Sequence, residues 1–173
     1  MHEIEGWFAA EAAHNLAFLL KEYEIKTVTE VGSFVGLSTA FFAAHTNRIY
    51  AVDPFVLWPE GEEENLTAVQ YGEDFYAKFL SNMAERDLLG RVVPIRMTSA
   101  EASVLPFLSS DLVYLDAAHD YESVKADIRF WTPKANKIIC GDDYDQNYPG
   151  VMRAVQEAFL GHHSDGRFWW VIQ

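Results

Sequence analysis

Two short apolar runs end in carboxylates, and they constrain the fold more than any other feature. Leu112-Val113-Tyr114-Leu115 leads into Asp116, and Lys137-Ile138-Ile139-Cys140-Gly141 leads into Asp142-Asp143. Apolar runs bounded by turn residues read as strands covered on both faces, the kind that parallel sheets are built from. In an open parallel sheet the ligand crevice lies at the carboxyl ends of the strands. Neighbouring strands sit about 4.8 Å apart, so Asp116, Asp142 and Asp143 are expected to converge on that crevice. Clustered carboxylates repel one another unless a cation or a proton shares the site. A hard divalent ion held by oxygen ligands is the expected partner. The alternative for any one of these aspartates is to cap a following turn.

The rest of the chain alternates between helical and extended patterns. Apolar residues at helical spacing, Trp7, Phe8, Leu16, Leu19 and Leu20 among them, predict an N-terminal helix over 5–23. A strand over 27–31 is followed by a turn from Gly32 to Gly36 and a small-residue helix over 37–45. A second strand over 48–52 closes on Asp53-Pro54. Periodicity fails over 55–72, which holds Trp58-Pro59 and Glu62-Glu63-Glu64; a long irregular segment in a compact domain commonly serves as a lid or binding loop. Helices are expected over 75–89, 101–105, 121–131 and 149–160, and strands over 92–97, 112–115, 137–140 and 167–172. This order predicts one α/β domain over 1–173, with a Rossmann-like, doubly wound, mostly parallel sheet and helices on both faces.

Composition narrows the partners. A formal charge of −13 argues against nucleic acid and against anionic membrane surfaces, because both need basic patches. No apolar run approaches the roughly 20 residues that span a bilayer. The N-terminal residues lack the basic start and apolar stretch of a signal peptide. The lone Cys140 sits inside a predicted core strand and cannot form an internal disulfide. A cytoplasmic protein is the expectation.

The segment Glu30-Val31-Gly32-Ser33-Phe34-Val35-Gly36-Leu37-Ser38-Thr39 joins the first strand to its helix. Gly32 permits a tight turn and close approach of a ligand. Asp53 ends the second strand about 20 residues on, where an acidic side chain can bind ribose hydroxyls. A nicotinamide site wants G-x-G-x-x-G so that backbone amides approach a pyrophosphate, but Phe34 stands at the second glycine. The turn therefore suits an adenosine ligand without a pyrophosphate, namely S-adenosylmethionine.

With Glu30, Gly32, Gly36 and Asp53 in register, the chain resembles the class I S-adenosylmethionine-dependent methyltransferases along nearly its whole length. Leu115-Asp116-Ala117-Ala118-His119-Asp120-Tyr121-Glu122 and Cys140-Gly141-Asp142-Asp143-Tyr144, followed by Tyr148-Pro149-Gly150-Val151, are similar to segments of the metal-dependent small-molecule O-methyltransferases. Those enzymes include the catechol type and the type that methylates sugars of macrolide antibiotics. The resemblance implies Mg²⁺ or another hard divalent ion on Asp116, Asp142 and Asp143. It implies that His119 is the general base, and that Gly32, Ser33, Phe34 and Ser38 line the methionine part of the cofactor. It also implies Asp53 on the ribose, Ser99 and Ala100 at the adenine edge, and Asp116 beside the cofactor. Two departures stand out. Pro133-Lys134-Ala135-Asn136 replaces the family's usual Gly-Gly turn, and one strand, rather than an antiparallel pair, is expected after the last helix.

An imidazole with an ordinary pKa near 6.5 can take a hydroxyl proton at neutral pH; the alternative for His119 is a solvated loop histidine. Asp120 reads as the cap of the helix after it, and Asp145 as a solvated loop residue. His45, His162 and His163 read as helix-end residues, and His14 as a surface residue. Trp58, Tyr71, Tyr144 and Tyr148 are candidates for an aromatic substrate wall. Phe168-Trp169-Trp170 reads as an apolar edge strand and thus a surface for a homo-oligomer. The expected activity is methyl transfer to a small hydroxylated acceptor. The alternatives are a nicotinamide-dependent oxidoreductase, disfavoured by Phe34, and a non-catalytic S-adenosylmethionine-binding module, for which clustered acids have little use.

Overall fold

The computed structural model describes residues 3–56 and 74–173; most of the expected 55–72 loop, with Trp58 and Tyr71, lies outside the described residues. The strands are β1 (Thr27–Val31), β2 (Arg48–Val52), β3 (Val92–Ile95), β4 (Ser110–Leu115), β5 (Ala135–Gly141), β6 (His163–Asp165) and β7 (Phe168–Ile172). They form one sheet in the order β3-β2-β1-β4-β5-β7-β6. β1 to β5 run parallel, and β7 is antiparallel to both β5 and β6. The helices are α1 (Ala10–Glu22), α2 (Leu37–His45), α3 (Phe75–Ala84), α4 (Ser99–Ser103), α5 (Tyr121–Trp131) and α6 (Pro149–Ala158).

Side chains alternate faces along a strand, and that alternation divides the core. Val28, Leu112, Tyr114, Ile138 and Cys140 face one layer, packed with Leu16 and Leu19 of α1, Phe42 of α2 and Phe79 and Met83 of α3. Val31, Val113, Leu115 and Ile139 face the other, with Val124, Ile128 and Trp131 of α5 and Val151 and Val155 of α6. Each fully buried side chain of this size contributes on the order of 2–3 kcal/mol. Caps fix the helix starts. Asp74 accepts from the Ala77 amide, Thr98 and Glu101 form a reciprocal capping box, and Asp120 accepts from the Ser123 amide at 3.0 Å. The last is the role expected of Asp120.

Three expectations change. The N-terminal helix begins at Ala10, not at residue 5; Gly6, a poor helix former, lies close against Leu37 in a non-helical segment. An antiparallel pair does follow the last helix: the polar β6 pairs with β7, Asp165 opposite Phe168. The two-residue loop between them is Gly166-Arg167, and Gly166 takes φ 57, as a type II′ hairpin requires at its first central position. Consequently Phe168-Trp169-Trp170 is not an edge. β7 is enclosed by β5 and β6, and Phe168 and Trp169 are buried in opposite core layers, which removes that argument for a homo-oligomer. At the corner before β5, a 3₁₀ turn over Thr132–Lys134 does the work of the missing glycine pair. Among the described residues, no helix is long and apolar enough to cross a membrane.

Candidate active site

Strand register draws the site together. Val31 pairs with Val52 on one side and Leu115 on the other, and Leu115 pairs with Gly141. The next residue on each strand is therefore Gly32, Asp53, Asp116 or Asp142, and these four form a row along the carboxyl edge of the sheet.

At the β1–β2 end, the glycine turn is tied down by two carboxylates. Buried Glu30 accepts from the hydroxyls of Ser33, at 2.7 Å, and Thr39. Burial lifts its carboxyl to about 7, against the opposing pull of Ser38, Thr39 and Ser33. Its other oxygen, Oε1, has no hydrogen-bond partner, an orphan acceptor at the base of the turn that a ligand ammonium would satisfy. Asp53 accepts from the amides of Phe34 at 2.8 Å and Phe55 at 2.6 Å. Both phenylalanines hold left-handed backbone, with φ 46 and φ 53, so Asp53 fastens two strained turns at once. Burial raises the Asp53 carboxyl, and those amides oppose the rise. Gly32 is required by the fold itself: φ is 94, and a Cβ would lie 2.0 Å from the Asp116 carbonyl oxygen. Gly36 and buried Ser38 start α2. Phe34 stands between Trp7 and Phe75, with ring centroids 5.9 and 5.3 Å away.

Ser99 and Ala100 open α4. The Ser99 hydroxyl donates to Asp127 and accepts from the Trp131 indole at 2.8 Å, which leaves backbone as the group this position offers a ligand.

At the β4–β5 end, desolvation lifts the Asp116 carboxyl to about 8, with the charges of Asp142 and Glu30 adding to the rise. Its neighbour is the Tyr114 hydroxyl at 3.4 Å. His119 reaches Asp143 through Nε2 to Oδ2 at 2.7 Å, with its ring against Tyr148 at 4.5 Å. Asp143 is buried in left-handed backbone, φ 62, and its second oxygen pairs with the Arg167 guanidinium. Asp142 accepts from the Asp143 amide at 2.9 Å. Burial raises the Asp142 carboxyl, and Arg167 opposes the rise.

Ligand atoms of Asp116, His119 and Asp143 lie within 4.8 Å of one another, so the structure gathers two of the three expected metal ligands, with His119 in place of Asp142. As arranged, this set fits a divalent ion poorly, because Asp143 is already engaged by a guanidinium and an imidazole.

Sequence reasoning missed Arg167. The signal was Gly166-Arg167, a Gly-X hairpin dipeptide that places Arg167 in the loop itself. Arg167 Nε also lies 3.5 Å from Asp145, so Asp145 belongs to the charged cluster rather than to a solvated loop. Tyr148 stays at the site, whereas Tyr144 turns away to Gln156 and His162. His45 binds its own helix end through the Phe41 carbonyl, His14 is exposed, and His162 and His163 lie away from the acids.

Residues 29–144 match a family model described as a methyltransferase domain. No curated protein matches the sequence. Among solved structures, the O-methyltransferase NovP superposes with a TM-score of 0.68 at 15% identity, over 93% of this chain and 77% of that one. An O-methyltransferase from Bacillus cereus in complex with SAH gives 0.65 at 15%, over 96% and 83%. A precorrin 8w decarboxylase from Methanobacterium thermoautotrophicum gives 0.63 at 14%, over 98% and 91%. At such identities the likeness is one of fold, and this fold evidently carries more than one chemistry.

Proposed function

The chain belongs to the methyltransferase-domain family, and on that premise we propose that it is an S-adenosylmethionine-dependent O-methyltransferase acting on a small hydroxylated acceptor. The observation that carries this reading is the His119–Asp143 pair at 2.7 Å, set at the β4–β5 end of the strand edge that also carries the glycine turn. S-adenosylmethionine supplies an electrophilic sulfonium methyl. Glu30 Oε1 and Asp53 are the acceptors this chain offers to the cofactor's ammonium and ribose. With the Nε2 proton directed to Asp143, Nδ1 of His119 carries the lone pair and takes the acceptor's hydroxyl proton. Asp143 fixes that tautomer and stabilises the imidazolium that forms, and Tyr148 holds the ring from one face. Placing the acceptor oxygen in line with the methyl supplies much of the acceleration.

Mg²⁺ assistance is the second reading, favoured by the convergence of Asp116, His119 and Asp143; it requires Arg167 to release Asp143. The experiment is a mass-spectrometric assay of methyl transfer to a panel of small hydroxylated acceptors. His119→Gln is expected to lower turnover by roughly 10²–10⁴ while leaving cofactor affinity unchanged. Equal turnover in the variant would return His119 to a loop residue.

A further inference from the structure

Three carboxylates, those of Asp142, Asp143 and Asp145, face one guanidinium. Arg167 pairs with Asp143 Oδ1, and its Nε lies 3.9 Å from Asp142 Oδ1 and 3.5 Å from Asp145 Oδ2. The guanidinium carbon stands 5.4 Å from the centroid of Tyr148, the ring that also packs on His119. Its backbone is anchored beside the acids, because the Tyr144 amide donates to the Arg167 carbonyl at 2.8 Å. The type II′ turn then fixes the direction in which the side chain leaves the hairpin. Arg167 also borders a cleft of about 230 Å³ between the start of α1 and the β6–β7 loop, lined by Ala9, Glu11, Asp142 and Phe168 among others.

We propose that Arg167 is the resident cation of this site, taking the charge-neutralising place of a divalent ion and positioning Asp143, and through it His119. A planar guanidinium suits the task, because it can bridge several carboxylate oxygens in fixed directions. A divalent ion brought to Asp116, His119 and Asp143 would have to displace it or bear its repulsion. The left-handed backbone of Asp143 presents one oxygen to His119 and the other to Arg167, so one carboxylate couples the two. Arg167 is thus a positioning residue that acts on the proton-accepting histidine through Asp143. The positioning role rests on the methyltransferase reading, whereas the metal-exclusion role does not.

The test is Mn²⁺ binding to the full chain, followed by paramagnetic resonance of the free ion, in wild type, Arg167→Gln and Arg167→Lys. The wild type is expected to bind more weakly than about 1 mM, the range of the weakest oxygen-ligand protein sites. Arg167→Gln should bind at least ten times tighter, and Arg167→Lys should stay close to wild type. In ¹⁵N spectra, the His119 imidazole should lose its fixed tautomer in Arg167→Gln and also in Arg167→Lys, which keeps the charge but not the planar fork, a change that a merely structural role would not produce. Wild-type methylation should persist in the presence of a chelator. Micromolar Mn²⁺ binding by the wild type, or equal affinity in wild type and Arg167→Gln, overturns the proposal. Should Arg167→Gln not fold, the wild-type and lysine titrations decide between these results. Calorimetry with S-adenosylmethionine separates the two readings: if the wild type does not bind it, the methyltransferase reading fails while the Mn²⁺ result stands.

Discussion

The two ends of the strand edge handle buried carboxylates in different ways. At the β1–β2 end, Glu30 Oε2 and Asp53 take their donors from the glycine turn, its helix and the residues after β2: Ser33, Thr39, and the amides of Phe34 and Phe55. At the β4–β5 end, Asp143 takes one partner from the loop after β4 and another from the β6–β7 hairpin, while Asp116 has a long phenol contact and a carboxyl lifted to about 8. The first arrangement is a turn motif that carries its own hydrogen bonds. The second exists only once the sheet is assembled, and it pits charge against charge. Local satisfaction makes a rigid cradle suited to holding a cofactor, whereas imported charge makes a site whose groups can exchange protons and partners.

The largest effect that separates the ends is a pH dependence of stability. A carboxyl whose folded pKa lies above its unfolded value binds its proton more tightly in the fold, so the folded state loses free energy as pH rises between the two values. For Glu30 that window runs from 4.5 to about 7, and for Asp116 from 3.8 to about 8. The melting temperature is expected to fall between pH 5 and pH 8, a loss on the order of a few kcal/mol. Glu30→Gln should remove the share of the slope that Glu30 contributes below about pH 7 and shrink, without abolishing, the Asp116 part, because one of the charges that raise Asp116 has gone. A melting temperature that is flat or rising over this range would show that both groups are ionised in the fold.

Next in size, Asp53→Ala should weaken S-adenosylmethionine binding by about 1.5–3 kcal/mol, as expected for hydrogen bonds to a charged group. It should also destabilise the fold, because the Phe34 and Phe55 amides lose their acceptor. Calorimetry and thermal melting measure the two effects separately; reduced stability with unchanged affinity would leave Asp53 a fastener of the turn and no more. Smallest, Asp120→Ala should cost about 1 kcal/mol, the worth of an N-cap, without altering cofactor affinity. A larger loss in turnover than in stability would mean that Asp120 serves the acidic end directly.

How far each end was legible in the sequence follows from the same contrast. Glu30, Gly32, Gly36 and Asp53 could be read because a strand–turn–helix unit keeps its meaning in one dimension. The parallel order and the convergence of Asp116 and Asp143 followed from apolar runs ending in acids. Three features were hidden. β6 is short and wholly polar, so no hydrophobic alternation announced it, and without it β7 looked like an edge. Asp142 could not be told from Asp143, because left-handed backbone at Asp143 decides which carboxylate turns to His119. Arg167 read only as the first residue of the last strand, and its placement depends on a hairpin folding back across the sheet. The clustering of these acids was legible, but the guanidinium that pairs with Asp143 was not.

The most direct measurement is a calorimetric titration of the wild-type chain with S-adenosylmethionine, and separately with NAD. Saturable one-to-one binding of S-adenosylmethionine, unchanged by chelator and weakened in Asp53→Ala, with no heat from NAD, is the expected result. Binding of NAD in its place, or no binding of S-adenosylmethionine by the folded chain, would contradict the assignment of the glycine turn to a methyl donor.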